Sequence, residues 1–297
     1  MRSMFTEVSK NKFSSVILMT CFMIVIILLG YVFGKIFINA YFGLSVALFI
    51  SLIYTLTAFY SGDKMLLSIT GAKEARKKDY PHFVNAVEGL AIAAGIPAPK
   101  PYVIEDSALN AFATGRDPKH ASITVTTGLL KKMNNEELDG VLAHEMSHVK
   151  NYDIRFMMLA AVLVGIVVLL SDFMLRSFLW GRKSDNNGNS NAIIILIGLV
   201  LAILAPIFVQ LVKLAISRRR EFMADASGAI ITRYPPGLAD ALEKIKNDPD
   251  PLVDNANRAT APLFISSPFR KAKGKRIREL FSTHPDINER IKRLREM

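Results

Sequence analysis

Five residues, His144-Glu145-Met146-Ser147-His148, concentrate the chemistry that this chain can offer. Residues four apart share a helix face, so His144 and His148 would project side by side. Two neutral imidazoles at that spacing can hold a zinc ion at about 2.0–2.1 Å each. Glu145 neighbours the first of them, where its carboxylate can take a proton from a water that the metal activates. That is the layout of a zinc peptidase site. The same five letters also arise by chance, as two surface histidines on an ordinary helix, so the surroundings must decide.

The surroundings predict a helix. Asn134 or Asn135 suits an N-cap, and Glu136 and Glu137 fall in the first turn, where the helix dipole favours negative charge. Leu138, Val141 and Leu142 follow at the i, i+3, i+4 spacing of a buried face. A catalytic zinc usually has three protein ligands and one open position, so a third ligand is required. Cys21 is the single cysteine, which excludes cysteine ligand pairs and intramolecular disulfides by count.

The elements that must position this motif are set in an apolar chain. Its 297 residues are 51% hydrophobic with mean hydropathy +0.28, which is high for a soluble domain. Ser14–Gly34, Ile36–Gly62 and Asn186–Val212 carry no charge, and each is long enough to cross about 30 Å of hydrocarbon. Phe156–Leu175 is a weaker candidate, interrupted by Asp172. The first run exceeds the h-region of a signal peptide and lacks an A-x-A-like site after it, so it reads as a retained anchor. The expected fold is mainly α: a multi-pass membrane protein with transmembrane helices at 14–35, 38–61, 154–176 and 192–214. Residues 1–13 form a short N-terminus, 177–191 an outer loop, and 62–153 and 215–297 the two parts of a catalytic region.

Net charge is +11, from 37 Lys and Arg against 26 Asp and Glu. A basic balance suits nucleic-acid binding or the positive-inside rule of membrane proteins. The distribution favours the second. Arg2, Lys10 and Lys12 precede the first span, and Lys64, Lys73, Arg76, Lys77 and Lys78 follow the second. Lys150 and Arg155 precede the third, and Lys213 and Arg218 to Arg220 follow the fourth, whereas the other side holds only Lys35, Arg176, Arg182 and Lys183. Both termini and the His144–His148 helix are therefore expected in the cytoplasm, against a lipid bilayer and without nucleic acid.

Topology then selects the third ligand. The histidines lie between spans two and three, and an acidic segment, Glu221 to Asp225, follows span four. If spans three and four both cross, or the pair lies re-entrant, the chain returns to the face of the histidines and Glu221 can complete the site. Asp225, four residues on, would accept a hydrogen bond from a ligating imidazole and fix its tautomer. Taken alone, Glu221 and Asp225 read equally as a solvated acidic pair beside three arginines.

The constellation resembles the HtpX group of integral-membrane zinc metalloproteases, relatives of the prenyl-protein proteases of eukaryotes. Leu109–Gly115, Ile123–Leu130, His144–His148, Arg219–Glu221 with Ala224–Asp225, and Thr283–Pro285 with Arg290 occur in that group's order across nearly the whole chain. The resemblance implies one zinc per subunit on His144, His148 and Glu221, with Glu145 as general base, in a zincin-like α+β domain with a small sheet. It implies cleavage of misfolded or damaged membrane proteins, or other unfolded polypeptides, at the cytoplasmic face of a bacterial cell membrane.

Three further positions carry family expectations. Ile123–Thr127 is β-branched and alternating, hence a strand; zincins place such an edge strand beside the metal, where an extended substrate can add to it. Asn110 matches a position near the substrate backbone, with a turn as the alternative. His284 would stabilise the oxyanion, or only cap the helix that follows Pro285. Arg290 pairs with an acid near the zinc helix or faces solvent. The competing functions are a membrane scaffold or chaperone with structural zinc and a site-2-type intramembrane protease. The charges of Glu136, Glu137, Asp139, Lys150 and Asp153 around the motif oppose the last of these. Substrate identity and oligomeric state are not legible in these residues.

Overall fold

The computed structural model describes residues 4–37, 39–163, 165–166, 218–248, 260, 263–265 and 285–297. Two long helices, α1 (Met4–Phe37) and α2 (Ala40–Ile69), form a hairpin. Asn39 makes the reversal, its side chain accepting from the N–H groups of Tyr41 and Phe42. Glycines let the two backbones touch. A Cβ on Gly43 would lie 2.2 Å from the Gly30 carbonyl oxygen and 2.6 Å from Gly34 Cα, the small-residue contact that membrane helices use. Both helices are long and apolar enough to cross a membrane. Their outer faces expose Phe13, Ile24, Leu28, Phe49, Ile50 and Leu56, a surface suited to lipid rather than to water.

Of the third predicted span only residues up to 163, with 165 and 166, are described, and these are helical from Asp153 onward. The outer loop 177–191, the fourth span and His284 lie outside the described residues. Phe156 to Leu163 are buried among Leu18, Phe22, Ala58 and Leu66 of the hairpin. The Tyr54 hydroxyl donates to the Val162 carbonyl at 3.0 Å. This helix therefore starts level with Asn11 of α1 and runs beside it.

Four strands form the sheet: β1 (Lys73–Glu74), β2 (Lys100–Ile104), β3 (Ala111–Gly115) and β4 (Ala121–Thr126), in the order β1-β2-β4-β3. β2 and β4 are parallel, and the outer pairs are antiparallel. Ile123–Thr127 thus corrects an expectation. Its strand is not an edge: Ile123 of β4 pairs with Pro101 of β2 on one side and Ala113 of β3 on the other. The flanking strand is β3, whose Ala-Phe-Ala-Thr-Gly sequence is buried throughout and lacks the alternation that marks a half-exposed strand. Its backbone directions are set at its start. The Asn110 carbonyl accepts from Thr126 N–H, toward β4, and the Ala111 carbonyl accepts from Ile265 N–H on the opposite side. Because these groups alternate, the N–H and C=O of Ala113 also point away from β4.

Helices α3 (Pro81–Ala94), α4 (Thr127–Lys132), α5 (Asn135–Lys150), α6 (Arg218–Thr232), α7 (Pro235–Lys246) and α8 (Ile287–Arg295) complete the described fold. α5 is central, against α3, α6, α7 and β3. Glycines again permit the approach. A Cβ on Gly140 of α5 would lie 2.6 Å from Leu238 N of α7, and one on Gly228 of α6 would lie 3.1 Å from His144 N.

Candidate metal centre

α5 begins with a reciprocal cap. Asn134 Oδ1 accepts from Glu137 N–H, and the Glu137 carboxylate accepts from Asn134 N–H, both at 2.8 Å. Of the two asparagines proposed as N-cap, Asn134 is the one. The helix so registered carries His144, Glu145 and His148 into the interior, where they are 1%, 3% and 5% exposed.

The two imidazoles meet nearly at right angles, with their planes 87° apart. Their Nε2 atoms lie 3.3 Å apart. Two nitrogens bound tetrahedrally to one zinc at 2.0–2.1 Å would be roughly 3.3 Å apart. Glu221, brought in by α6, places Oε1 3.6 Å from His148 Nε2 and Oε2 3.8 Å from His144 Nε2. One ligand atom from each of the three side chains lies within 4.8 Å of the others, and all three residues are buried. This donor set and spacing suit a metal ion.

The other ring nitrogens are held by acids. Asp225 Oδ1 lies 3.0 Å from His144 Nδ1, and Asp153 Oδ2 lies 3.0 Å from His148 Nδ1. Each contact favours the tautomer that leaves Nε2 for a metal. Burial opposes ionisation of Asp225, but Arg290 and the His144 hydrogen bond outweigh it and hold the carboxyl well below the usual carboxylate range. Burial also disfavours a charged His148. The hydrogen bond that His148 donates to Asp153 and the charges of Glu221, Asp153 and Glu145 prevail, raising its pKa to about 9 without metal. A bound metal would displace that proton. Burial pushes the Glu145 carboxyl up, as does Glu221, whereas His144, His148 and Arg290 pull it down. A carboxylate with raised proton affinity is suited to accept a proton from water.

Arg290 does not face solvent. It is 1% exposed and binds Asp225 from α8. Asn110 is 1% exposed, at the residue before β3, and its Oδ1 accepts from Ala111 N–H at 3.1 Å. Asp153 is the site residue that sequence reasoning did not single out, having been read only as one of the charges flanking the motif. The available signal was chemical: two ligating histidines need two acceptors, and Asp225 supplies one.

Comparison with known proteins agrees with this geometry. The model of peptidase family M48 matches residues 78–297. A protein described as a protease HtpX homolog in Thermoanaerobacter pseudethanolicus is 45% identical over 293 residues, covering 97% of this chain and 96% of the relative. A protein of the same description in Streptococcus pneumoniae is 40% identical over 303 residues, covering 99% of this chain and all of the relative. The crystal structure of S. mikatae Ste24p superposes with a TM-score of 0.50 at 20% identity, over 98% of this chain and 67% of that one, a likeness of fold. The chain belongs to peptidase family M48 and, within it, to the HtpX group of bacterial membrane metallopeptidases.

Proposed function

We propose that the chain is a zinc-dependent endopeptidase that hydrolyses peptide bonds of misfolded or damaged membrane proteins at the cytoplasmic face of a bacterial cell membrane. One observation carries the reading: His144 and His148 present Nε2 atoms 3.3 Å apart, beside the buried carboxylate of Glu221 and that of Glu145. His144, His148 and Glu221 would hold the ion. Bound there, zinc would act as a Lewis acid toward the scissile carbonyl and make water more acidic.

The chain's own residues supply the rest. Glu145 takes the proton from the attacking water and delivers it to the leaving amine. Asp225 and Asp153 hold the two imidazoles in orientation. His284 is assigned to the developing oxyanion from its place in the family pattern. An extended substrate adds to the outward edge of β3, the strand that lies against α5, from Ala113 onward. Ile265 occupies the outward carbonyl of Ala111, and Asn110, proposed near the substrate backbone, turns its own carbonyl to β4. The scaffold alternative has lost its ground, because the chain belongs to a family of peptidases.

Four spans are read from the apolar runs, and a cytoplasmic site from the charge asymmetry. The helix from Asp153 supports that plan, since it enters the hairpin from the level of the metal centre. The test is cleavage of a model membrane protein in detergent or vesicles. Wild type should cut it, a chelator should stop cutting, and added zinc should restore it. Glu145→Gln should lose at least about a hundredfold in rate while keeping its metal. Full activity in that variant would end the reading.

A further inference from the structure

We infer that Asn11, on the first membrane helix, is a positioning residue for the metal centre, acting through Asp153 on His148. The inference rests on the proposed zinc site and adds a residue to it from outside the matched catalytic region, which begins at residue 78.

Asn11 is polar in an apolar helix and only 2% exposed. A buried amide is costly unless its hydrogen bonds are made, and here they are. Its Nδ2 donates to Asp153 Oδ1 at 2.6 Å and to the Asn151 carbonyl at 2.9 Å. Its Oδ1 accepts from Arg220 Nη1 at 2.9 Å, and the same nitrogen lies 3.2 Å from Asp153 Oδ1. The other oxygen of Asp153 holds His148 Nδ1 at 3.0 Å. The Asp153 carboxylate is thus fixed at one end by α1 and α6, and orients the imidazole with the other.

A second contact fastens the same turn. Lys12 Nζ lies 4.3 Å from the centre of the Tyr152 ring. Tyr152 has φ 62, the left-handed region that a side chain rarely adopts and that surrounding contacts must maintain. Consecutive residues of α1 therefore clamp Asn151, Tyr152 and Asp153, the turn between α5 and the next helix. Among the described side chains of α1, large exposed apolar ones begin at Phe13, two residues later. The anchor does more than tether the domain: it completes the hydrogen-bond chain to a metal ligand.

Partners of ligating histidines are worth about 10–100-fold in metal affinity. Asp153→Asn should weaken zinc binding by that much. Asn11→Leu, with the same branched shape and unable to hydrogen-bond, should weaken it by about three- to tenfold, as one link further out. The experiment measures zinc affinity of the full-length protein in detergent against a chelating indicator, with the melting temperature of the metal-free protein beside it. The expected result is a weakened zinc affinity for Asn11→Leu, beside a lower metal-free melting temperature because the Asn151 carbonyl and Arg220 lose a buried partner, and no added effect of Asn11→Leu on affinity in an Asp153→Asn background. If leucine prevents folding, Asn11→Ser takes its place, with a side chain too short to span the same bonds. Wild-type affinity in the Asn11 variant, or the same loss in both backgrounds, overturns the inference. A wild-type protein that binds no zinc overturns the zinc reading itself, which separates the two failures.

Discussion

Arg290 and Asp225 meet through a two-point contact, Nε 2.9 Å from Oδ2 and Nη2 2.7 Å from Oδ1. Both side chains are almost fully buried. The planar fork fits a carboxylate in a way that an ammonium cannot. Since Asp225 also holds His144, α8 reaches the metal helix through this pair. Removing the cation would leave Asp225 and Glu221 buried without it. Arg290→Met should therefore destabilise the metal-free protein by about 3–5 kcal/mol, and Arg290→Lys by less. Thermal unfolding in detergent measures this, and an unchanged midpoint for Arg290→Met would show that the pair is dispensable.

The outward edge of β3 gives a prediction about substrate. Ala113 directs its N–H away from β4, so proline there removes no bond between the strands, and an edge position tolerates it. Under strand addition the same substitution deletes a hydrogen bond to substrate and crowds its backbone. Ala113→Pro should lower kcat/KM about 10–100-fold while leaving zinc affinity as it is, from a lost bond of about 1–3 kcal/mol. Cleavage at the wild-type rate would place the substrate elsewhere.

What could be read from the chain follows the range of the interactions involved. His144 and His148 share a face by helical period alone, and the Asn134 and Glu137 cap is a local pattern three residues apart. The first two apolar runs needed only length and composition. β3 escaped notice because Ala111, Ala113 and Gly115 have weak strand preference, and only burial on every side makes them a strand. Asp153 and Asn11 escaped for a different reason. They lie 142 positions apart, and nothing periodic joins them. Their relation exists only when the first membrane helix is packed against the turn after α5.

Close packing around α5 can be tested apart from its chemistry. A methyl on Gly140 would meet backbone of α7 at 2.6 Å from Leu238 N, and backbone cannot swing aside as a flexible side chain can. Gly140→Ala should therefore displace α7, outweighing the gain in helix propensity of about 1 kcal/mol. The expected net cost is about 1–3 kcal/mol. Retained or raised stability would mean that α7 moves freely relative to the metal helix.

Glu221 and Asp225 lie one helical turn apart, and zinc titration distinguishes their proposed roles. Glu221 would donate an oxygen to the ion, so Glu221→Ala leaves two ligands, and two imidazoles alone hold zinc poorly. Asp225 orients His144 and pairs with Arg290 but does not bind the ion, so Asp225→Asn keeps all three donors and should cost about 10–100-fold in affinity. At low free zinc both variants should be inactive. As zinc is raised, Asp225→Asn should recover cleavage because its site refills, whereas Glu221→Ala should stay at least about a hundredfold below wild type. The two roles would be exchanged if Glu221→Ala were the variant rescued. Parallel rescue of both would mean that neither carboxylate binds the metal directly, and the third ligand would have to be sought among other residues.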